Sequence, residues 1–237
     1  MQRPAVRLGL SMVRGLSEAA AWRIEAARAV RPFTDVADMA LRAQLDRRAL
    51  QLLAAANALA DLAGNRRQAI WQAVAASPSH DLLRSIGQDD QTPDLAPPSE
   101  GEHIVSDYRA TGLTLGRHPI ALLRATLLKQ RLMPVSTLLT YRNGRPARGC
   151  GIVTVRQRPG TAKGVMFMTL EDETGSVNVI VWPSLQEKQR RESLSASLLA
   201  VYGIWQCEGE VRHLVAHRLV DMSHLLGELP TVSRNFC

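Results

Sequence analysis

GVMFMTLEDETGSVNVIVWP, residues 164–183, sets two apolar runs on either side of an acidic turn. Read as a β-hairpin, its side chains alternate between two faces. Met168, Leu170, Val177, Val179 and Val181 fall on one face as a continuous apolar set. Phe167, Thr169, Ser176, Asn178, Ile180 and Trp182 fall on the other, a mixture of polar and aromatic groups that suits an outer surface. The hairpin therefore points its first set into a core and displays Phe167. Trp182, at the end of the second run, is expected to pack at a rim. The turn residues Glu171-Asp172-Glu173 could bind one cation, but acidic turn groups are ordinarily solvated, and that is the expectation here.

Outward from the hairpin, alternation begins near Tyr141. CGIVTVRQR, GVMFMTL, SVNVIVW, LLAVYGIWQ and VRHLVAHRLV read as five strands, with a helix near SLQEKQRRES between the third and fourth. That order is the order of an OB barrel, whose second and third strands bind single-stranded nucleic acid by stacking bases on aromatics. Arg156, Arg158 and Lys163 lie at or beside the end of the first strand, placed to follow a phosphate backbone. Phe167 is then a stacking residue, Thr169 lies beside it, and Asn178 offers an amide to a base edge. The rival reading is that a protein surface covers Phe167, since exposed apolar groups mark several kinds of interface. Trp205 and Tyr202, on the fourth strand, are read as core or edge residues.

The N-terminal part is helical in pattern. Apolar positions recur three and four apart, Ser17, Asp46 and Asn65 stand where helix caps belong, and Thr34-Asp35 starts another short helix. The stretch QDDQTPDLAPPSEGE has five acidic groups, no basic ones and three prolines, so it reads as a linker. Ser99 and Glu102 have capping-box spacing, Gly112 ends that helix, and Pro119 opens the next.

The chain has 237 residues, 46% of them hydrophobic and only 4% aromatic, with a formal charge of +7. The basic balance fits an acidic partner such as nucleic acid as readily as it fits simple solubility. Cys150, Cys207 and Cys237 lack CxxC spacing and read as reduced thiols of a cytosolic protein. No apolar run approaches a membrane span, and there is no signal peptide pattern.

LSMVRGLSEAAA, residues 10–21, matches a helix-hairpin-helix pattern at Leu10, Val13, Gly15, Leu16, Ser17 and Ala21. In that motif a Gly-hydrophobic-Gly turn presents backbone N–H groups to a phosphate at a helix N-terminus. Ser17 replaces the second glycine; it caps well but crowds the phosphate. Arg14, Gly15, Leu16 and Ser17 are the candidate duplex contacts. A second copy at LLAAANALADLAG would place Asn57 in the left-handed position and is read as structural. The fold class expected is multidomain α+β. A tandem helix-hairpin-helix domain spans 1–87, an acidic linker 88–102 and a helical connector 103–140. A five-stranded OB barrel spans 141–224 and a tail 225–237.

VRLGLSMVRGLSEAAAWRI, LDRRALQLLAAANALADLAGNRRQAIW, TGLTLGRHPIALLR and VMFMTLEDETGSVNVIVW together resemble the C-terminal region of bacterial C-family replicative polymerases, closest to the error-prone, DnaE-like branch. The resemblance implies a piece of a DNA polymerase whose hairpins hold duplex DNA and whose OB domain lies near the single-stranded template. It implies mutagenic synthesis across lesions after DNA damage, an inactive Y-family-like adaptor as partner, and through that adaptor the sliding clamp. The location implied is cytoplasmic, at the nucleoid. The family's palm and its metal-binding aspartates are not among these residues, so the chain alone is expected not to polymerise DNA. Magnesium would belong to that palm, and no cofactor is expected here. Two-metal chemistry needs converging carboxylates, and Asp89-Asp90 sits in the linker. His213 and His217 share a strand face without further ligands, which makes zinc unsuitable. A second function class is a protein-docking module, in which the OB face and the tail GELPTVSRNFC bind the adaptor. A third follows from MFMTLEDETG, which also resembles the anticodon-binding domain of class II aminoacyl-tRNA synthetases. It would require a catalytic domain downstream, while the chain ends shortly after the fifth strand.

Overall fold

Five of the six α-helices described in the first half begin where a short polar side chain accepts a backbone N–H, the short helix after Leu59 being the exception. In the computed structural model, which describes residues 8–76, 93–227, 229 and 234–236, Ser17 caps α1 (Glu18–Val30), Asp35 caps α2 (Val36–Arg42), Asp46 caps α3 (Arg47–Ala55) and Asn65 caps α5 (Arg66–Ala75). The short α4 (Ala60–Ala63) lies between the last two, and Ser99 with Glu102 closes a full capping box on α6 (Glu100–Ala110). Each such cap satisfies amides that a helix leaves unpaired, worth about 1 kcal/mol.

The chain divides into two units, Met1–Gly116 and Arg117–Cys237. The first buries Ile24, Val36, Leu45, Leu50, Leu53, Leu59 and Ala69 in one core. Its α5 and α6 are tied by Arg66, which is buried and donates to His103 O at 2.9 Å and to the Asp107 carboxylate. The 103–140 stretch read as a connector is thus shared: α6 belongs to the first unit, and α7 (Pro119–Lys129) to the second. Of the expected linker, residues 88–92 lie outside the described residues.

The second unit is a closed barrel. Strands β1 (Pro146–Gln157), β2 (Met166–Asp172), β3 (Gly175–Val181), β4 (Leu198–Glu208) and β5 (Val211–Asp221) pair in the order β1-β2-β3-β5-β4-β1, with β3 and β5 parallel. The expected five-stranded OB barrel is therefore present. The helix expected between the third and fourth strands is broken at Gln189 into α9 (Pro183–Lys188) and α10 (Arg190–Ser195). A short α8 (Val135–Leu138) precedes β1. Met168, Leu170, Val177, Val179 and Val181 are all buried, with Trp205 and Leu214, in the barrel core. Trp205 is thus a core residue, the first of the two places considered for it.

Two features depart from the sequence reading. A short sixth strand, β6 (Arg234–Phe236), runs parallel to β1 over Val155–Gln157, inside the segment read as a tail. The acidic turn is solvated only at Glu171. Asp172 is 4% exposed and accepts hydrogen bonds from Val135 N at 2.8 Å, Thr174 N at 2.8 Å and Arg124 Nη2 at 2.9 Å. Arg124, from α7, also grips Glu173 with Nε and Nη2 at 2.6 and 2.8 Å. An arginine fork occupies the place considered for a cation, because α7 docks on the hairpin tip.

Candidate nucleic-acid interface

The hairpin's outer set lies in rows that cross four strands in register. One row runs Gln157, Phe167, Ile180 and Val215; the next runs Val155, Thr169, Asn178 and His213. Phe167 and Ile180 are half-buried, with their outer surfaces open, and Asn178 is exposed. Thr169 Oγ1 donates to Asn178 Oδ1 at 3.2 Å, which fixes the amide and leaves its NH2 group facing outward without a partner among the described residues. An aromatic face beside an oriented amide can stack one base and donate to its edge.

Trp182 completes the surface and was misplaced by the sequence reading. It is 52% exposed rather than packed at the rim. The strand ends at Val181, so Trp182 becomes the cap of α9, with its carbonyl accepting from Leu185 N and Gln186 N. The sequence signal was available: Trp182 follows the parity of Asn178 and Ile180, and Pro183 marks a helix start.

The β1–β2 loop beside it is held rigidly. Gln186, buried, donates through Nε2 to Gly164 O at 3.0 Å and Val181 O at 2.8 Å, and its Oε1 accepts from Arg158. Lys163 and Gly164 both take left-handed backbone, φ +48° and +82°. A lysine there is costly by itself, and the Gln186 clasp that follows it holds the turn. Lys163 is exposed and carries no side-chain partner among the described residues.

The three basic residues do not act alike. Arg156 is 6% exposed; its Nε donates to Ser193 O at 3.0 Å and its Nη2 to Ala196 O. It cannot follow a phosphate backbone. The cause is a β-bulge between Val153 and Val155, which puts Arg156 opposite core-facing Met168. Arg158 is exposed but already engaged by Gln186, and Lys163 alone projects freely. The face is polarised, basic at this loop and acidic at Glu171 on the hairpin's far end.

In the first unit, Gly15 has φ +80° and Ser17 Oγ accepts from Ala20 N at 3.2 Å. A Cβ on Gly15 would meet Leu52 at 3.5 Å, so conformation and not space asks for glycine. Leu16 N donates to Val13 O at 3.2 Å, and its side chain packs on the core. The amides of Glu18 and Ala19 head α1 with no partner among the described residues, the arrangement an anion would need. Arg14 is turned elsewhere: its backbone N donates to Ala110 O at 2.9 Å, and Nη1 to Arg109 O at 3.5 Å, at the C-terminal end of α6.

Asn57 is left-handed, φ +60°, as its place in the suggested second hairpin requires. The turn that most resembles the first lies elsewhere, at Gln44-Leu45-Asp46 between α2 and α3, with Gln44 at φ +48° and Leu45 fully buried. There the Asp46 carboxylate accepts from Ala49 N at 2.7 Å, where an incoming anion would be repelled. That helix–turn–helix was hidden by the absence of glycine.

Comparison with known proteins agrees with both units. A model described as a helix-hairpin-helix motif matches residues 1–69, and one described as an OB-fold nucleic acid binding domain matches residues 150–221. Neither is a catalytic domain. Over 99% of its length the chain is 60% identical to an error-prone DNA polymerase of Burkholderia pseudomallei, 57% to one of Ralstonia pickettii and 58% to one of Bordetella parapertussis. The chain spans only about a fifth of those relatives, 22%, 22% and 23% respectively.

Proposed function

We propose that this chain, one segment of an error-prone DNA polymerase, is the non-catalytic part that holds DNA for the polymerising domains of the whole protein. The observation that carries this is the outer face of β2 and β3. Phe167 and Trp182 offer two aromatic surfaces, Asn178 an oriented amide between strands, and Lys163 a free cation at the loop beside them. Single-stranded template would lie on this face with bases on the aromatics and phosphates toward Lys163 and Arg158. The turn at Gly15-Leu16-Ser17 would hold a duplex phosphate through amides at the head of α1, with Arg14 a scaffold residue and not a phosphate ligand.

The polymerase named in the relatives implies the setting: synthesis across damaged template, in the cytoplasm at the nucleoid, together with an adaptor protein and, through it, a sliding clamp. Fluorescence anisotropy of a labelled single strand, titrated at several salt concentrations, tests the reading. Phosphate contacts release counterions, so affinity on this account falls steeply with salt. Affinity for an adaptor but not for DNA, with little salt dependence, would instead identify the face as a docking surface.

A further inference from the structure

A second surface on the barrel has the chemistry of a phosphate contact. On the outside of β1, β4 and β5, Arg148, Tyr202 and Arg218 stand in one register row. The two guanidiniums flank the same ring, with Cζ 5.4 and 5.6 Å from its centroid. A β-bulge between Tyr202 and Gly203 brings Arg218 into this row. Both arginines are exposed, and among the described residues neither has a carboxylate or carbonyl partner.

Four largely buried arginines offer a contrast, while exposed Arg145 stacks singly on Tyr141 with Cζ 3.8 Å from the ring centroid. Arg42, Arg66, Arg124 and Arg156 spend their N–H groups on carbonyls or carboxylates of the fold. Arg148 and Arg218 lie against a ring that takes none of their donors. Stacking restricts each guanidinium while leaving its N–H edge in solvent, and two like charges beside one ring gain most when an anion bridges them. Arg218 also lines a groove of about 610 Å³ with Arg191, His224, Glu192 and Asp221. The groove balances Arg191 and Arg218 against Glu192 and Asp221, so Arg148 is the row's cation outside it.

We infer that the Arg148–Tyr202–Arg218 row is a second contact for the phosphodiester backbone of single-stranded DNA, outside the β2–β3 face, used when the strand is longer than that face can hold. This rests on the DNA-binding reading above, and its test separates the two. Labelled oligonucleotides of about 6 and about 25 nucleotides fall near the lower end of and beyond the OB-fold site sizes of about 4–16 nucleotides. The full chain is titrated with each, as wild type, as Arg148→Ala/Arg218→Ala, as Arg148→Lys/Arg218→Lys and as Phe167→Ala. Circular dichroism melts confirm that each variant is folded.

The alanine pair is expected to leave the short strand's affinity unchanged and to weaken the long strand about tenfold near physiological salt. The salt slope for the long strand should fall by about 1.4, two contacts at about 0.7 each. The lysine pair, which retains charge, should recover most of that slope. An unchanged long-strand affinity and slope in the alanine pair overturns the inference, even if Phe167→Ala weakens both strands. Loss confined to the alanine pair, with Phe167→Ala silent, would sustain the row and refute the front-face reading. Failure of wild type to bind either strand while binding poly-glutamate would overturn the inference and assign the row to an acidic protein surface.

Discussion

Replacing Arg124 by methionine should destabilise the barrel unit by about 3 kcal/mol. The substitution keeps most of the aliphatic packing and removes four contacts: Nε and Nη2 to Glu173 at 2.6 and 2.8 Å, Nη2 to Asp172 at 2.9 Å, and Nη1 to Leu132 O at 3.3 Å. Breaking one side of a buried ion pair costs about 3–5 kcal/mol because the other charge stays buried. Asp172 retains Val135 N, Thr174 N and Thr174 Oγ1 as donors, which argues for the lower end. The sign with pH follows from Glu173. Burial would raise its carboxyl, but the hydrogen bonds and charge of Arg124 outweigh that and hold it below its usual range. A depressed folded value contributes stability above about pH 4.3 and loses it as pH falls through the folded value. Urea unfolding followed by fluorescence at pH 7 and pH 3.5 measures both effects. In wild type part of the stability disappears at the lower pH; in Arg124→Met that part is already missing. An unfolding free energy within about 0.5 kcal/mol of wild type at pH 7 would reduce the fork to an ordinary surface pair and refute the reasoning.

Three further outcomes follow. Burial lowers the pKa of His118, outweighing the nearby Glu171, Glu173 and Asp172, and its Nδ1 accepts from Ile120 N at 3.2 Å as the cap of α7. Its stabilising effect is complete above about pH 6.5 and fades as pH falls from there through the folded value, so an NMR titration should place its midpoint below 6.5. Burial pushes the Cys150 thiol up to about 12, so at pH 8 mass mapping after alkylation should find Cys150 unmodified in the folded protein and modified in urea, with half-buried Cys207 reacting sooner. At Gly203 an added Cβ would sit 1.9 Å from the Val215 carbonyl oxygen, so Gly203→Ala should cost about 3 kcal/mol in urea unfolding and a loss under 1 kcal/mol would contradict the packing there.

Much of this molecule could be read from side-chain type and spacing, because the relevant interactions are local. A cap needs only Ser17 or Asn65 and the helix that follows it, and the inward set of the hairpin needs only alternation. What escaped the sequence depends on distant partners or on a break in period. Nothing near Glu171-Asp172-Glu173 announces Arg124, which comes from a separate helix, so the turn read as solvated. Arg156 changes face because one extra residue enters β1, and a bulge leaves no mark in a run as even as CGIVTVRQR. Trp182 looked like the end of a strand and became the start of a helix. β6 is too short to show alternation. The outer-face residues Phe167, Thr169 and Asn178 were placed by parity alone, and the register of four strands supports their grouping; the basic residues around them needed the folded loop.

The central claim is that the β2–β3 face binds single-stranded DNA by stacking. The most direct measurement is the equilibrium affinity of the full chain for a short single strand, compared among wild type, Phe167→Ala, Trp182→Ala and the double variant. Each aromatic is expected to contribute about 1–3 kcal/mol, so each single variant should weaken binding by roughly fivefold to a hundredfold, and the double variant further, with melting temperatures unchanged. Wild-type affinity in the folded double variant would contradict the claim.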